Sequence, residues 1–196
     1  MLGIILVERR RPAETRNFPE SIVQTHDPGQ PHERPPAAVP ERAPRIDSVV
    51  FARRNEVLRG CLALSSMPRL LSAGVGGEGL LEWEIEGSVG RDELQRQREF
   101  LRVRTAFSPW MTCSRCLSPV QVATLKTDTR FRMAASEAQA AAEDRDEEEV
   151  EVMAANPHLD VAALVEDEAI LALPMAPVHD SCEWTATVGP DPISGL

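Results

Sequence analysis

The stretch Leu81-Glu-Trp-Glu-Ile-Glu86 alternates apolar and acidic residues without a break. A period of two places Leu81, Trp83 and Ile85 on one side of an extended chain and Glu82, Glu84 and Glu86 on the other, the pattern of a strand with one dry face. Downstream, Phe100, Arg102 and Arg104 alternate with Leu101, Val103 and Thr105, and Gly90-Arg-Asp92 between the two runs is a turn signal. Val120, Val122 and Thr124, then Thr127, Thr129, Phe131 and Met133, continue the alternation into a third strand, or into two with a turn near Lys126. Successive strands on loops of this length predict an antiparallel meander. The fold class expected is therefore α+β, an antiparallel sheet core with a few short helices.

The helices flank these strands. Asp47 or Ser48 is placed to cap a helix over 49–58 that Gly60 ends, and 61–64 is a short apolar strand. Ser65 or Ser66 is placed to cap a helical turn over 67–73, stopped by Gly74. Residues 134–142 are rich in Ala and helix-prone, the acidic run 143–149 reads as a solvated loop, and 150–152 as a resumed strand. Asp160 caps a helix over 161–173, with Val161, Leu164, Val165, Glu168, Leu171 and Ala172 on its apolar side, and Pro174 and Pro177 prevent its continuation.

At 196 residues the chain has room for one domain with loose ends. Residues 1–45 read as a disordered Arg/Pro-rich extension, 46–185 as the α+β domain and 186–196 as a flexible tail. Tyr is absent and aromatics are 4% of the chain, so the core must be built mostly from Leu, Val, Ile and Ala. The net charge is -10, and it is uneven: residues 1–60 carry 10 Arg against 8 Asp and Glu, and residues 61–196 carry 11 Lys and Arg against 23 Asp and Glu. A protein that binds DNA or RNA broadly by neutralising phosphates needs the opposite sign. No run approaches the roughly 18 to 20 apolar residues of a membrane-spanning helix. Apolar residues 1–7 are followed by Glu8 and three Arg, with no small-residue cleavage site, so no secretory signal is read. A reduced, cytoplasmic protein is expected.

The chemistry lies in Cys113-x-x-Cys116 and His179-x-x-Cys182. Two intervening residues let a turn aim both sulfurs at one cation, and a second half-site of the same spacing would complete a structural Zn2+ site. Sixty-two residues separate the halves, so closure would pin the C-terminal segment to the strand region. Cys113 and Cys116 are also compatible with ordinary reduced thiols or with a redox dithiol, although Ser114-Arg-Cys-Leu-Ser-Pro119 has no helix start to activate the first thiol. Cys61, in an apolar strand, reads as a buried small hydrophobe and is the reserve ligand.

Nucleophilic catalysis fares poorly, because His26 and His32 fall in the extension and His158 in a loop. Gly74-Val-Gly-Gly-Glu-Gly79 lacks the Lys of a phosphate loop. In Glu166-Asp-Glu168 only Asp167 falls on the wet face. Glu168 lies on the apolar side, as a buried hydrogen-bonding carboxylate, part of a partner surface or an exposed edge residue.

Two segments carry a family resemblance. Thr112-Cys-Ser-Arg-Cys-Leu-Ser-Pro119, and the long run from Leu159 to Cys182 containing Val165-Glu-Asp-Glu168, Leu173-Pro174 and Pro177-x-His-Asp180, resemble the bacterial YceD family. The resemblance covers roughly 46–185, with Phe51-Ala-Arg-Arg54 and Gly60 similar to the family's opening helix and turn. It implies a non-enzymatic cytoplasmic factor supporting synthesis, processing or stability of the large-subunit (23S) rRNA. Members are commonly encoded beside a large-subunit ribosomal protein. The family's Cys pair falls on Cys113 and Cys116, its later His and Cys on His179 and Cys182, and no catalytic residues come with it. The acidity predicts contact with a basic ribosomal protein or an rRNA-processing factor, with Glu166, Asp167 and Glu168 as candidate contacts. Arg102, Arg104 and Arg115 are the candidates for a local rRNA contact.

Overall fold

The alternating stretch lies within a twelve-residue strand, β4 (Leu80–Arg91). The computed structural model describes residues 43–92, 95–143 and 150–182, with the backbone of strand β1 (Leu6–Arg9). β4 pairs antiparallel with β3 (Glu56–Ala63) on one side and β5 (Gln97–Phe107) on the other, and β5 pairs antiparallel with β8 (Leu125–Ala134). The predicted meander is therefore present. With β1 and β9 (Glu151–Ala154) at its edges, it makes a six-stranded sheet in the order β1-β3-β4-β5-β8-β9.

Register sorts the two faces. Leu58, Ile85, Val103 and Thr129 form one row across the sheet, and Leu62, Leu81, Phe107 and Leu125 another. These rows line the core under α1 (Ser48–Arg53) and α4 (Val161–Leu171). Leu81, Ile85, Leu101 and Val103 are fully buried there, each contributing about 1.5–3 kcal/mol of transfer free energy. The opposite face carries Arg59, Glu84, Arg104 and Asp128 in one row and Glu86, Arg102 and Arg130 in the next. Glu84 is buried even on this polar face, where Arg59 and Arg104 both pair with it.

Four local expectations change. The helix over 49–58 stops at Arg53, because Asn55 takes a left-handed φ of 50° and turns the chain into β3. Gly60 therefore does not end a helix. It sits in β3 because a Cβ there would come within 2.8 Å of the Trp83 ring. The second helical turn is α2 (Pro68–Ser72), started by its proline rather than by a serine cap, while Ser66 donates its hydroxyl to the Ala63 carbonyl. β9 joins β8 in parallel, since α3 (Glu137–Glu143) intervenes and lets the chain return in the same direction. Finally, Leu6–Arg9 falls inside the segment expected to be a disordered extension but pairs with Glu56–Arg59.

The Asp160 cap is as predicted, its carboxylate accepting the Ala163 N–H, though α4 ends at Leu171 rather than at 173. β2 (Arg45–Ile46) pairs with β10 (Leu159–Asp160), tying the start of the domain to the entry of α4. Residues 1–5 and 10–42 of the extension, residues 144–149 of the acidic run, and residues 183–196, which include the tail 186–196, lie outside the described residues.

Candidate metal centre

β6 (Trp110–Thr112) and β7 (Pro119–Gln121) form a two-stranded hairpin, with Met111 opposite Val120, both buried. The turn between them holds Cys113 and Cys116. The Cys113 N–H donates to the Ser118 carbonyl at 2.9 Å, and the Leu117 N–H to the Cys113 carbonyl at 3.0 Å. This closure needs a left-handed residue after the second cysteine, and Leu117 supplies it at φ 61°.

The second half-site arrives from the exit of α4. Past Leu171 the prolines keep the chain irregular, and the Ser114 N–H donates to the Pro177 carbonyl at 2.8 Å, fastening the strap 174–182 across the turn. The result is a cluster of Cys113, Cys116, His179 and Cys182 whose ligating atoms all lie within 4.8 Å of one another. The spacing of the two predicted half-sites thus corresponds to a real juxtaposition. Cys61 is not in the group; it lies in β3 opposite Glu82, and burial pushes its thiol up.

The donors fit a tetrahedral thiolate and imidazole site. With Zn–S near 2.3 Å and Zn–N near 2.0–2.1 Å, a tetrahedron has S–S edges of about 3.8 Å and S–N edges of about 3.5 Å. Cys113 Sγ and Cys182 Sγ are 3.8 Å apart, and Cys116 Sγ and His179 Nδ1 are 3.5 Å apart. The other ring nitrogen, Nε2, lies 3.0 Å from the Pro119 carbonyl. A proton on Nε2 makes that contact a hydrogen bond and leaves Nδ1 as the lone-pair donor, the outer support that metal-binding histidines commonly have.

Backbone groups prepare the sulfurs. N–H groups of Cys116, Arg115 and His179 point at Cys113 and lower its thiol to about 5. The Ser118 N–H lowers that of Cys116. Burial leads the effects that push Cys182 up to about 11, and the Pro119 carbonyl leads those that raise His179. Four protein donors leave no open position for a substrate, which is the arrangement of a structural rather than a catalytic site. Soft thiolates with one imidazole suit Zn2+.

The candidate partner residues are placed otherwise. Glu166, expected at a partner surface, is only 6% exposed: its carboxylate accepts the backbone N–H groups of Arg69 at 2.7 Å and Leu70 at 3.0 Å, and pairs with the Arg69 guanidinium. Glu168, 3% exposed, accepts the Thr129 hydroxyl, and burial raises its carboxyl. Both are therefore internal ties from α4, one to α2 and one to β8. Asp167 is exposed as predicted and pairs with Arg69. Arg102 is exposed but gives both Nε and Nη2 to Asp128 at 2.6 Å, while Arg104 is largely covered and pairs with Glu84 and Glu86. Arg115 is exposed in the metal turn. Sequence reasoning missed Arg69, which no local pattern marks, and the Pro119 carbonyl, whose role depends on a residue sixty positions away.

The family model described as large ribosomal RNA subunit accumulation protein YceD matches residues 101–193. Over those residues the chain matches the YceD family. The YceD stretch starts within β5, runs through α4 and includes all four members of the cluster, whereas Phe51-Ala-Arg-Arg54 and Gly60 lie before it. No curated protein and no solved structure matches the chain. Among the described residues no helix is long and apolar enough to cross a membrane.

Proposed function

We propose that this protein is a non-enzymatic, cytoplasmic ribosome-biogenesis factor that supports synthesis, processing or stability of 23S rRNA through contacts with a ribosomal protein or an rRNA-processing factor. The observation that carries this reading is the YceD match over 101–193, which takes in the whole metal cluster and the helix that leads to it. In this reading Zn2+ is a staple. Cys113, Cys116, His179 and Cys182 hold it, and its chemistry is to cross-link the β6–β7 turn to the strap after α4. The net charge of -10 favours a basic protein partner over broad contact with rRNA. Arg115, exposed beside the centre, is the best placed of the three arginines for a local RNA contact, because Arg102 and Arg104 are already engaged with carboxylates.

The depressed Cys113 thiol favours a second reading, a thiol-based redox enzyme or sensor using Cys113 and Cys116. Two measurements separate the readings. Depleting the protein in its own host should lower the ratio of 23S to 16S rRNA, and affinity capture should recover a large-subunit protein or processing factor even after nuclease treatment. An unchanged rRNA ratio, with reversible disulfide turnover by metal-free protein, would overturn the biogenesis reading in favour of the thiol one.

A further inference from the structure

Toward the end of α4 the wet side of the chain turns apolar. Ala163, Asp167 and Leu171 follow one another at four-residue intervals on the exposed side of the helix, and Leu171, in its last turn, is 74% exposed. The strap continues the line, with Met175 fully exposed and Val178 exposed beyond it. Val178 precedes His179, which faces Cys116 at 3.5 Å, so the exposed Leu117 that follows Cys116 flanks the same ridge. Leu117, Leu171, Met175 and Val178 are four of the seven large apolar side chains exposed among the described residues, and they fall on one segment and the turn it crosses. Single exposed leucines are ordinary, whereas a run of apolar side chains rimmed by charge marks a protein-binding surface.

The charge around the ridge says what fits it. After Arg145 the chain has no Lys or Arg, so α4 and the strap carry acidic groups alone. Asp167 stands one turn before Leu171. Arg69 reaches it from α2, but the same guanidinium serves Glu166, which leaves one negative charge in excess. At the other end Asp180 is exposed and forms no ion pair with a described residue. Arg115 is the exposed cation in the turn, and three thiolates around one Zn2+ set a net negative charge beside it. A phosphate backbone would meet apolar side chains and acids here, and a second copy of the same strip would bring like charges together. We propose that the ridge of Leu171, Met175 and Val178 docks a basic amphipathic segment of a large-subunit ribosomal protein, with the segment's apolar side chains on the ridge and its cations on Asp167 and Asp180. The inference rests on the biogenesis reading above, for which it names the contact surface. The metal centre then has a part in recognition: with the Ser114 to Pro177 hydrogen bond it fixes the path of the strap, so less of the surface has to be ordered on binding.

The test uses zinc-loaded full-length protein and, as probe, the RNA-free proteins of its host's large ribosomal subunit. A retained protein is identified by mass spectrometry, purified, and titrated against wild type, Leu171→Asp and Met175→Asp, while hydroxyl-radical oxidation of Met175 is followed in the wild-type complex. Both substitutions fall at exposed positions, and thermal unfolding and zinc content are read for each variant. The expected result is protection of Met175 in the complex and affinity at least about tenfold weaker in both variants. Lys126→Asp, on the opposite face of the sheet, should bind as wild type does. Equal binding by wild type, Leu171→Asp and Met175→Asp overturns the ridge and leaves the biogenesis reading standing. A wild type that retains none of these proteins also overturns the proposal, and the ratio of 23S to 16S rRNA on depletion then decides the biogenesis reading independently. Polylysine bound as tightly as the identified protein reduces the contact to charge and overturns the proposal. So does a wild-type dimer, seen by light scattering, that Leu171→Asp splits into monomers.

Discussion

His179 places Nε2 3.0 Å from the Pro119 carbonyl, and this contact turns Nδ1 toward the sulfurs. The imidazole is therefore oriented before any ion arrives. His179→Ala removes a donor and should weaken Zn2+ binding by more than about 100-fold, beyond the 10–100-fold typical of losing an outer support. His179→Cys keeps four donors and should retain one Zn2+ per chain. Competition against a calibrated chelator measures both, and equal affinity in wild type and His179→Ala would remove His179 from the centre.

Protons should leave when metal enters. With Cys182 held up to about 11 and His179 raised, both bind protons more firmly than usual, whereas Cys113 at about 5 is already a thiolate at neutral pH. Binding selects the deprotonated forms, so affinity falls as pH falls, by about tenfold per pH unit for each proton displaced. Titrations at pH 6, 7 and 8, corrected for protonation of the competing chelator, should show at least one displaced proton, and a flat profile would contradict the placement of Cys182.

Glu166 and Asp167 are neighbours in α4 that share Arg69 and should behave very differently. Glu166 is buried and also satisfies two backbone N–H groups at the start of α2. Glu166→Ala should cost about 1–3 kcal/mol, since it leaves those backbone donors unpaired, while the half-exposed guanidinium keeps Asp167 and the Ala163 carbonyl. The exposed Asp167–Arg69 pair is worth about 0–1 kcal/mol, so Asp167→Asn should be nearly silent in urea unfolding.

The contrast between these carboxylates shows where sequence reasoning reached and where it stopped. Strands β4 and β5 were legible because each has one dry face, and the period of two reports that directly. The Asp160 cap was legible because it is local. The two metal half-sites were legible as spacings, but their meeting depends on the Ser114 to Pro177 bond between segments more than sixty residues apart. Glu166 was misplaced because its partners belong to α2, and no helical periodicity anticipates a carboxylate buried to cap another helix. Likewise the 49–58 helix reading failed at Asn55, where a single left-handed residue outweighed the helix propensity of the Glu, Val and Leu that follow.

Gly87 should tolerate no side chain. A Cβ there would lie 2.7 Å from the Ala52 Cα and the Phe51 carbonyl oxygen, backbone atoms of α1 that cannot rotate away. Gly87→Ala should therefore push α1 off the sheet at a cost of about 1–3 kcal/mol or more. At Gly60 the obstacle is the Trp83 side chain, and Gly60→Ala should cost less if the indole can tilt. Thermal unfolding of the two variants gives the order, and a milder effect at Gly87 would contradict the close approach of α1 to β4.

Leu117 holds a left-handed φ of 61° with 75% of its surface exposed, so the turn that carries both cysteines includes a conformation Leu resists, with little packing in return. That conformation costs an L-residue about 1–2 kcal/mol, and glycine adopts it freely while losing about 0.5–1 kcal/mol through the greater freedom of its unfolded chain. Leu117→Gly should accordingly stabilise the protein by about 0.5–1 kcal/mol and leave Zn2+ stoichiometry unchanged. Leu117→Val should do the reverse, because a β-branched side chain is still less at ease there. If Leu117→Gly instead destabilised the isolated protein, the Leu side chain would have to contribute packing in solution that its exposure here denies. If it stabilised the protein but weakened capture of a ribosomal partner, the same residue would be assigned to the interface.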